Sequence, residues 1–191
     1  MGNIEVMEHI FRWVEGVVRE LDVQPPVLEV GARNVNGSVR ELFPTPYTGI
    51  DIEDGASVDL VADVMTHDFD EKFNTIVCTE TLEHLPAPWE AVERMAGWLN
   101  PGGHLIVTTP FMHPLHDFPG DYFRFTGEGL RVLFDRAGLT TILATQDEQA
   151  TYETARLSEG DPTDLIYVGT GVMRTAYGVA QCSSRGGLCE S

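Results

Sequence analysis

The stretch Val27-Leu28-Glu29-Val30-Gly31-Ala32-Arg33-Asn34-Val35-Asn36-Gly37 constrains the fold of this chain more than any other. Val27 to Val30 is a short apolar run directly after Pro25-Pro26, the pattern of a buried strand. It stops at Gly31, where a backbone without a Cβ lets a ligand come close. Asn36-Gly37-Ser38 then leads into Val39, Leu42 and Phe43, read as the start of a short capped helix. Strand, tight turn and helix start together make a seat for a cofactor at the carboxyl end of a parallel strand.

Around this stretch the pattern alternates between strand and helix. Ile4, Met7, Ile10, Phe11, Val14, Val17, Val18 and Leu21 recur at helical spacing, so an amphipathic helix is expected over residues 3–21, packing on the sheet or capping the cofactor edge. Tyr47 to Asp51 and Val58 to Val64 read as strands, each meeting an acid near its end. Phe73 to Cys78 is a near-continuous apolar run, as expected of a central strand buried on both faces. A helix over Ala87 to Leu99 ends at Asn100-Pro101-Gly102-Gly103, and His104 to Thr109 forms a fifth strand. Thr126 opens another helix running to Gly138, and Leu139 to Thr145 is a sixth strand. A seventh strand is expected at Asp164 to Gly171, after a polar connection over 147–163 with no helical stripe. The expectation is a single α/β domain over 1–174: a Rossmann-like, mostly parallel sheet of seven strands with an antiparallel last strand and helices on both faces. Residues 175–191 read as a disordered Gly/Ser/Cys-rich tail.

The charge excludes some partners. Twelve Lys plus Arg against thirty Asp plus Glu leaves −18, which repels phosphate backbones and anionic membranes. No apolar run is long enough to span a bilayer, and the first residues carry acids rather than a basic signal region. Three cysteines make no disulfide framework, so a reduced, cytoplasmic protein is expected, with no nucleic-acid or membrane partner. Oligomeric state is left open by the sequence.

The chemistry-bearing residues fall at one sheet edge. Asp51 lies twenty positions after Gly31, the spacing at which a carboxylate on the neighbouring strand reaches a ribose diol. Asp63 ends the third strand, and Thr79-Glu80-Thr81-Leu82-Glu83-His84 follows the fourth. After the fifth strand comes a long excursion from Pro110 to Phe125, dense in aromatics, His and Asp. Long irregular loops of that composition inside compact domains carry function.

With those residues in place, the chain resembles the class I S-adenosylmethionine-dependent methyltransferases, in the type 11-like branch acting mainly on small molecules and glycan or lipid precursors. The resemblance covers about residues 25–171 and is densest in FNTIVCTETLEHLPAPWEAVERMAGWLNPGGHLIVTTP, from Phe73 to Pro110. EVGARNVNGS, YTGIDI and DYFRFTGEGLRVLFDRAGL also match in order. The resemblance implies S-adenosyl-L-methionine as cofactor and a role for each matching position. Glu29 would contact its amino-acid end, and Gly31, Ala32, Arg33, Asn36 and Gly37 would line the methionine moiety. Asp51 would bind both ribose hydroxyls with Ile52 beside the adenine. Asp63 would accept from the adenine amino group with Val64 beside it. Thr79, Glu80 and His84 would close the pocket beneath the sulfonium. One departure stands out: Ala32-Arg33-Asn34-Val35-Asn36 replaces the glycines the family usually carries soon after the first. Arg33 would then hold the cofactor carboxylate, or the turn would be wider.

The implied reaction moves a methyl group to an O or N of a small-molecule acceptor, with positioning supplying much of the rate. His113, His116, Asp117, Asp121 and Tyr122 are the candidates for acid–base and positioning work, with His116 favoured as base and Asp117 or Asp121 orienting it. The same residues could instead only stitch the loop together. His113, His116 and Asp117 are metal-ligand types, but three residues on a Pro-broken loop do not make a metal site, and none is expected. Two other readings share the fold. A nicotinamide-dependent oxidoreductase would want Gly-x-Gly-x-x-Gly, which Gly31 to Asn36 does not provide. A cofactor-binding scaffold would keep the fold without catalysis.

Overall fold

The apolar runs assemble into one sheet, seen in a computed structural model that describes residues 2–116, 120–146 and 174–182. Among the described residues, seven strands join it: β1 (Val27–Val30), β2 (Tyr47–Asp51), β3 (Leu60–Val61), β4 (Phe73–Thr79), β5 (Leu99–Met112), β6 (Leu139–Gln146) and β7 (Arg174–Cys182). Their order is β3-β2-β1-β4-β5-β7-β6. The first five pair in parallel, and β7 lies antiparallel between β5 and β6.

Side chains that alternate along each strand sort into two cores. On one face Val27, Val77 and Ile106 pack against Ile10 and Val14 of α1 (Gly2–Glu20), with Val39 and Phe43 beside them. On the other, Leu28, Ile76, Leu105 and Val107 pack against Met95 of α2 (Pro88–Trp98) and Leu130 and Phe134 of α3 (Gly127–Arg136). α2 starts with Pro at its first position, where no donor is lost. α3 is capped by Thr126, whose side chain accepts from the Gly129 amide at 3.0 Å. Helices thus cover both faces, and no helix among the described residues is long and apolar enough to cross a membrane.

β1 is the switch point. From it the chain runs outward through β2 to β3, then returns to β1's other side as β4. The carboxyl ends of β1, β2 and β4 therefore open on one edge, where open α/β sheets place ligands.

The structure departs from the sequence-based expectation in several places. The strand expected over 58–64 is only Leu60–Val61, half-exposed at the sheet edge. Asp59, before it, stays exposed and accepts from Arg40 Nη1 at 2.7 Å and from the Gly49 amide at 2.8 Å. The short capped helix after Gly37 is a three-residue 3-10 turn at Arg40–Leu42 with no side-chain cap. The expected strand at 164–171 lies outside the described residues. The seventh strand is Arg174–Cys182, inside what reads from sequence as a tail, so the domain extends past residue 174.

Small residues disguised that strand. A Cβ on Gly178 would come within 2.6 Å of the Phe134 ring, so the glycine that weakens the strand signal is what lets α3 lie against the sheet. Cys78 is a free, buried thiol, whereas Cys182 is buried and disulfide-bonded, a correction to the expectation of a fully reduced chain.

Candidate active site

A cleft of about 350 Å³ opens at the carboxyl edge of β1, β2 and β4. It is walled by Glu29, Gly31, Ala32, Arg33, Asn36 and Gly37 from the first motif, and by Asp51 and Ile52 after β2. Ala62, Val64, Thr79, Glu80, Glu83 and His84 also line it, with His113 and His116 from the loop after β5. Four expected residues are not part of it as described, Asp121 among them, which stands beside His116 instead. Asp63 does not line the cleft, its carboxylate accepting the Met65 amide at 2.8 Å in a turn. Tyr122 is 55% exposed and also outside the wall. Asp117 lies outside the described residues.

The β1–β2 end is shaped by backbone. Gly31 has φ +79°, and a Cβ there would sit 2.0 Å from Thr81 Oγ1, so only glycine fits. The amides of Gly31 and Ala32 both donate to the Ile50 carbonyl, at 3.0 and 2.9 Å, which fixes the turn against β2. Asp51 is held in turn: its Oδ2 accepts the Arg33 amide at 3.1 Å and its Oδ1 the Glu53 amide at 3.0 Å. The Arg33 guanidinium pairs with Glu53 at 2.5 Å. The turn is thus closed without the family's further glycines, by an ion pair across the β2–β3 connection.

Glu29 is almost fully buried on β1 and accepts the Tyr47 hydroxyl at 2.7 Å. Burial pushes its carboxyl up to about 7, against the opposing Tyr47 hydrogen bond. A cationic ligand group beside it would offset that desolvation.

Side chains shape the β4–β5 end. Glu80 follows β4 with φ 46°, a conformation unfavourable to residues with a Cβ, and such strain concentrates at functional sites. Its amide donates to the Thr108 carbonyl at 2.9 Å, and its Oε1 accepts the Thr108 hydroxyl at 3.0 Å. Loss of solvent pushes its carboxyl up to about 7. Glu83 is fully buried, its Oε2 accepting the Thr109 hydroxyl at 3.2 Å. Burial raises its carboxyl well above the ordinary range, and the neighbouring Glu80 charge raises it further.

The loop after β5 closes over this end. The Tyr122 amide donates to the Glu83 carbonyl at 2.8 Å, and the Phe125 amide to the Pro110 carbonyl at 3.0 Å. Arg124 grips Asp121 through two nitrogens, with Nη2 to Oδ2 at 2.7 Å. It also donates to the carbonyls of His113 at 3.2 Å and Pro114 at 3.1 Å. The Arg124 hydrogen bonds hold Asp121 well below the usual carboxylate range. Asp121 accepts the His116 amide at 2.9 Å and faces His116 Nδ1 at 3.3 Å, and so orients that ring.

Sequence reasoning missed Glu83 and Tyr47 at this site. Glu83 sits three residues after Glu80 and directly before His84, a spacing that marks it only once Leu82–His84 is seen to form a 3-10 turn. Nothing local marks Tyr47 as the partner of Glu29, since the pairing depends on the register of β1 with β2.

Comparison with known proteins agrees with this geometry. A family model described as a methyltransferase domain matches residues 5–144. A ubiquinone biosynthesis O-methyltransferase from Alkalilimnicola ehrlichii is 44% identical over 48 residues, which span 25% of this chain and 19% of that protein. The fold is similar to the Burkholderia thailandensis 1,6-didemethyltoxoflavin-N1-methyltransferase bound to 1,6-didemethyltoxoflavin and S-adenosylhomocysteine. That likeness has a TM-score of 0.64 at 13% identity, over 91% of this chain and 78% of that one. It is also similar to the N-methyltransferase NodS from Bradyrhizobium japonicum in complex with S-adenosylhomocysteine, with a TM-score of 0.55 at 15% identity, over 95% and 99% of the two chains. With the first strand, the glycine turn and the strand order all in agreement, the chain belongs to the methyltransferase domain family.

Proposed function

We propose that the protein moves a methyl group from S-adenosyl-L-methionine to an oxygen or nitrogen of a small-molecule, glycan or lipid-precursor acceptor. What carries this reading is the meeting in one cleft of the Gly31 turn, the Asp51 carboxylate and the Glu80–His84 segment. The lining fits such a ligand: Gly31 presents bare backbone at the cleft wall, and the buried Glu29 calls for a cationic partner. On this reading Glu29 faces the cofactor's amino group, Asp51 its ribose, and Ile52 and Val64 flank the adenine. Ala62, which also lines the cleft, joins them there in place of Asp63.

When bound, the cofactor supplies an electrophilic methyl on a sulfonium. The acceptor's lone pair forms the new bond to carbon as the carbon–sulfur pair leaves to sulfur, and one proton is released. The protein's part is to align acceptor and methyl and to exclude water. On this reading His116, which lines the cleft and is oriented by Asp121, takes up the acceptor's proton. The net charge of −18 supports a small acceptor over a nucleic acid. A cytoplasmic location goes with the reading; the free Cys78 thiol supports it and the Cys182 disulfide weighs against it.

The test is incubation with methyl-labelled cofactor and a panel of small hydroxylated and amino compounds, reading label transfer and S-adenosylhomocysteine together. Transfer to at least one acceptor class, lost in Asp51→Ala, supports the reading. Cofactor binding without transfer to any acceptor would favour the scaffold.

A further inference from the structure

Three ligand atoms converge at the acceptor end of the cleft. Glu83 Oε1, His84 Nε2 and His116 Nε2 all lie within 4.8 Å of one another. The two ring nitrogens are 3.2 Å apart, and Glu83 Oε1 is 3.5 Å from His84 and 3.9 Å from His116. Glu83 Oε1 is buried and accepts no hydrogen bond, although its partner oxygen does. Both rings turn Nδ1 outward to an acceptor: His84 to the Gly120 carbonyl, His116 to Asp121. Those contacts place the ring protons on Nδ1 and leave both Nε2 lone pairs facing the carboxylate. Three converging acceptor atoms call for a positive charge among them, a proton or a metal ion.

We propose that Glu83, His84 and His116 form a site for a divalent first-row metal ion such as Zn²⁺, with open positions that take the acceptor's hydroxyl oxygen. The spacing fits: ligand bonds of about 2.0–2.2 Å to a tetrahedral centre set ligand atoms roughly 3.3–3.5 Å apart. The longest edge, to His116, closes by a few tenths of an ångström through a loop residue. The surroundings fit as well. Metal-bound histidines donate their other ring N–H to a carboxylate or backbone carbonyl, as both do here, and Arg124 locks Asp121 in that role.

The chemical role rests on the methyl-transfer reading; the binding does not. An ion here makes the acceptor an oxygen nucleophile rather than a nitrogen one, by lowering the hydroxyl's affinity for its proton. The proton leaves to solvent, the oxygen lone pair bonds to the methyl carbon, and the carbon–sulfur pair stays on sulfur. Hydroxyl and sulfonium become methyl ether, thioether and one proton. His116 then acts on that proton through the ion.

Zn²⁺ titration of chelator-treated, cofactor-free protein by calorimetry tests the site, with visible absorption of the Co²⁺ form as a second readout. The expected result is one ion per chain, weakened about 100-fold in His116→Ala and in the near-isosteric Glu83→Gln, and unchanged in His67→Ala, which does not line the cleft. Circular dichroism of His116→Ala, a loop variant, keeps a folding defect separate. No Zn²⁺ binding, or equal binding in folded His116→Ala, would overturn the proposal and leave a protonated imidazole bridging the rings. A parallel metal-free titration with S-adenosyl-L-methionine separates the two claims. Cofactor binding without Zn²⁺ binding defeats the metal site alone; Zn²⁺ binding without cofactor binding upholds the site and defeats the methyl-transfer reading.

Discussion

The two ends of the cleft are built differently. At the β1–β2 end, main-chain amides do the shaping: Gly31 and Ala32 bond to Ile50, and Arg33 and Glu53 to Asp51. At the β4–β5 end, side chains do it: Glu80 to Thr108, Glu83 to Thr109, and the run from His116 through Asp121 to Arg124. A backbone-built seat depends on local φ/ψ and strand spacing and suits a ligand shared by many proteins. A side-chain-built wall can change residue by residue while the fold stays fixed, and suits whatever differs between them.

That contrast gives its sharpest test at Gly31. Gly31→Ala forces a Cβ into Thr81 Oγ1 at a positive φ, and backbone strain plus overpacking should cost about 4 kcal/mol together with cofactor binding. Adding Thr81→Ala removes the Oγ1 clash and leaves a tight 3.0 Å Cβ contact and the strain, so thermal melts should show partial recovery. Full recovery would mean that the turn is not the rigid element described.

Glu29→Gln comes next and carries a pH signature. The folded carboxyl titrates at about 7 against an ordinary 4.5, so the wild-type fold keeps full stability below pH 4.5. It loses stability as pH rises to 7, because ionising the buried group opposes folding. Denaturant melts should show the variant equal to wild type near pH 4 and more stable by about 3 kcal/mol at pH 8. A pH-independent difference would show that Glu29 is not a buried neutral acid.

Arg124→Ala probes the opposite end. Releasing Asp121 and the carbonyls of His113 and Pro114 should lower methyl-transfer kcat/KM by about 100-fold through misplacement, with cofactor Kd within about twofold. If cofactor affinity falls equally, the two ends are not separable.

Thr126→Ala belongs to neither end and should be the mildest. Losing the cap of α3 should cost about 1 kcal/mol in thermal melts and leave both ligands' binding unchanged.

The same contrast explains what the sequence made legible. β1, β2, β4 and the Gly31 turn come from apolar runs and punctuating residues with only local requirements, and their bounds match to within a residue. Asp51 follows from spacing along parallel strands. β7 was hidden because its small residues answer to α3, a partner distant in sequence. Glu83 was hidden because its meeting with His116 depends on how the loop folds back onto β4. Tyr122 drew notice as a chemistry-bearing residue type among histidines; among the described residues its backbone amide donates to the Glu83 carbonyl and its ring meets Phe123.

The most direct test of the account is calorimetric titration with S-adenosyl-L-methionine, and separately with NAD, of wild type and Asp51→Ala. The account expects micromolar binding of the sulfonium compound, weakened about 100-fold in the variant by loss of two hydrogen bonds to a charged acceptor, and no binding of NAD. Binding of NAD alone, or sulfonium binding indifferent to Asp51, would contradict it.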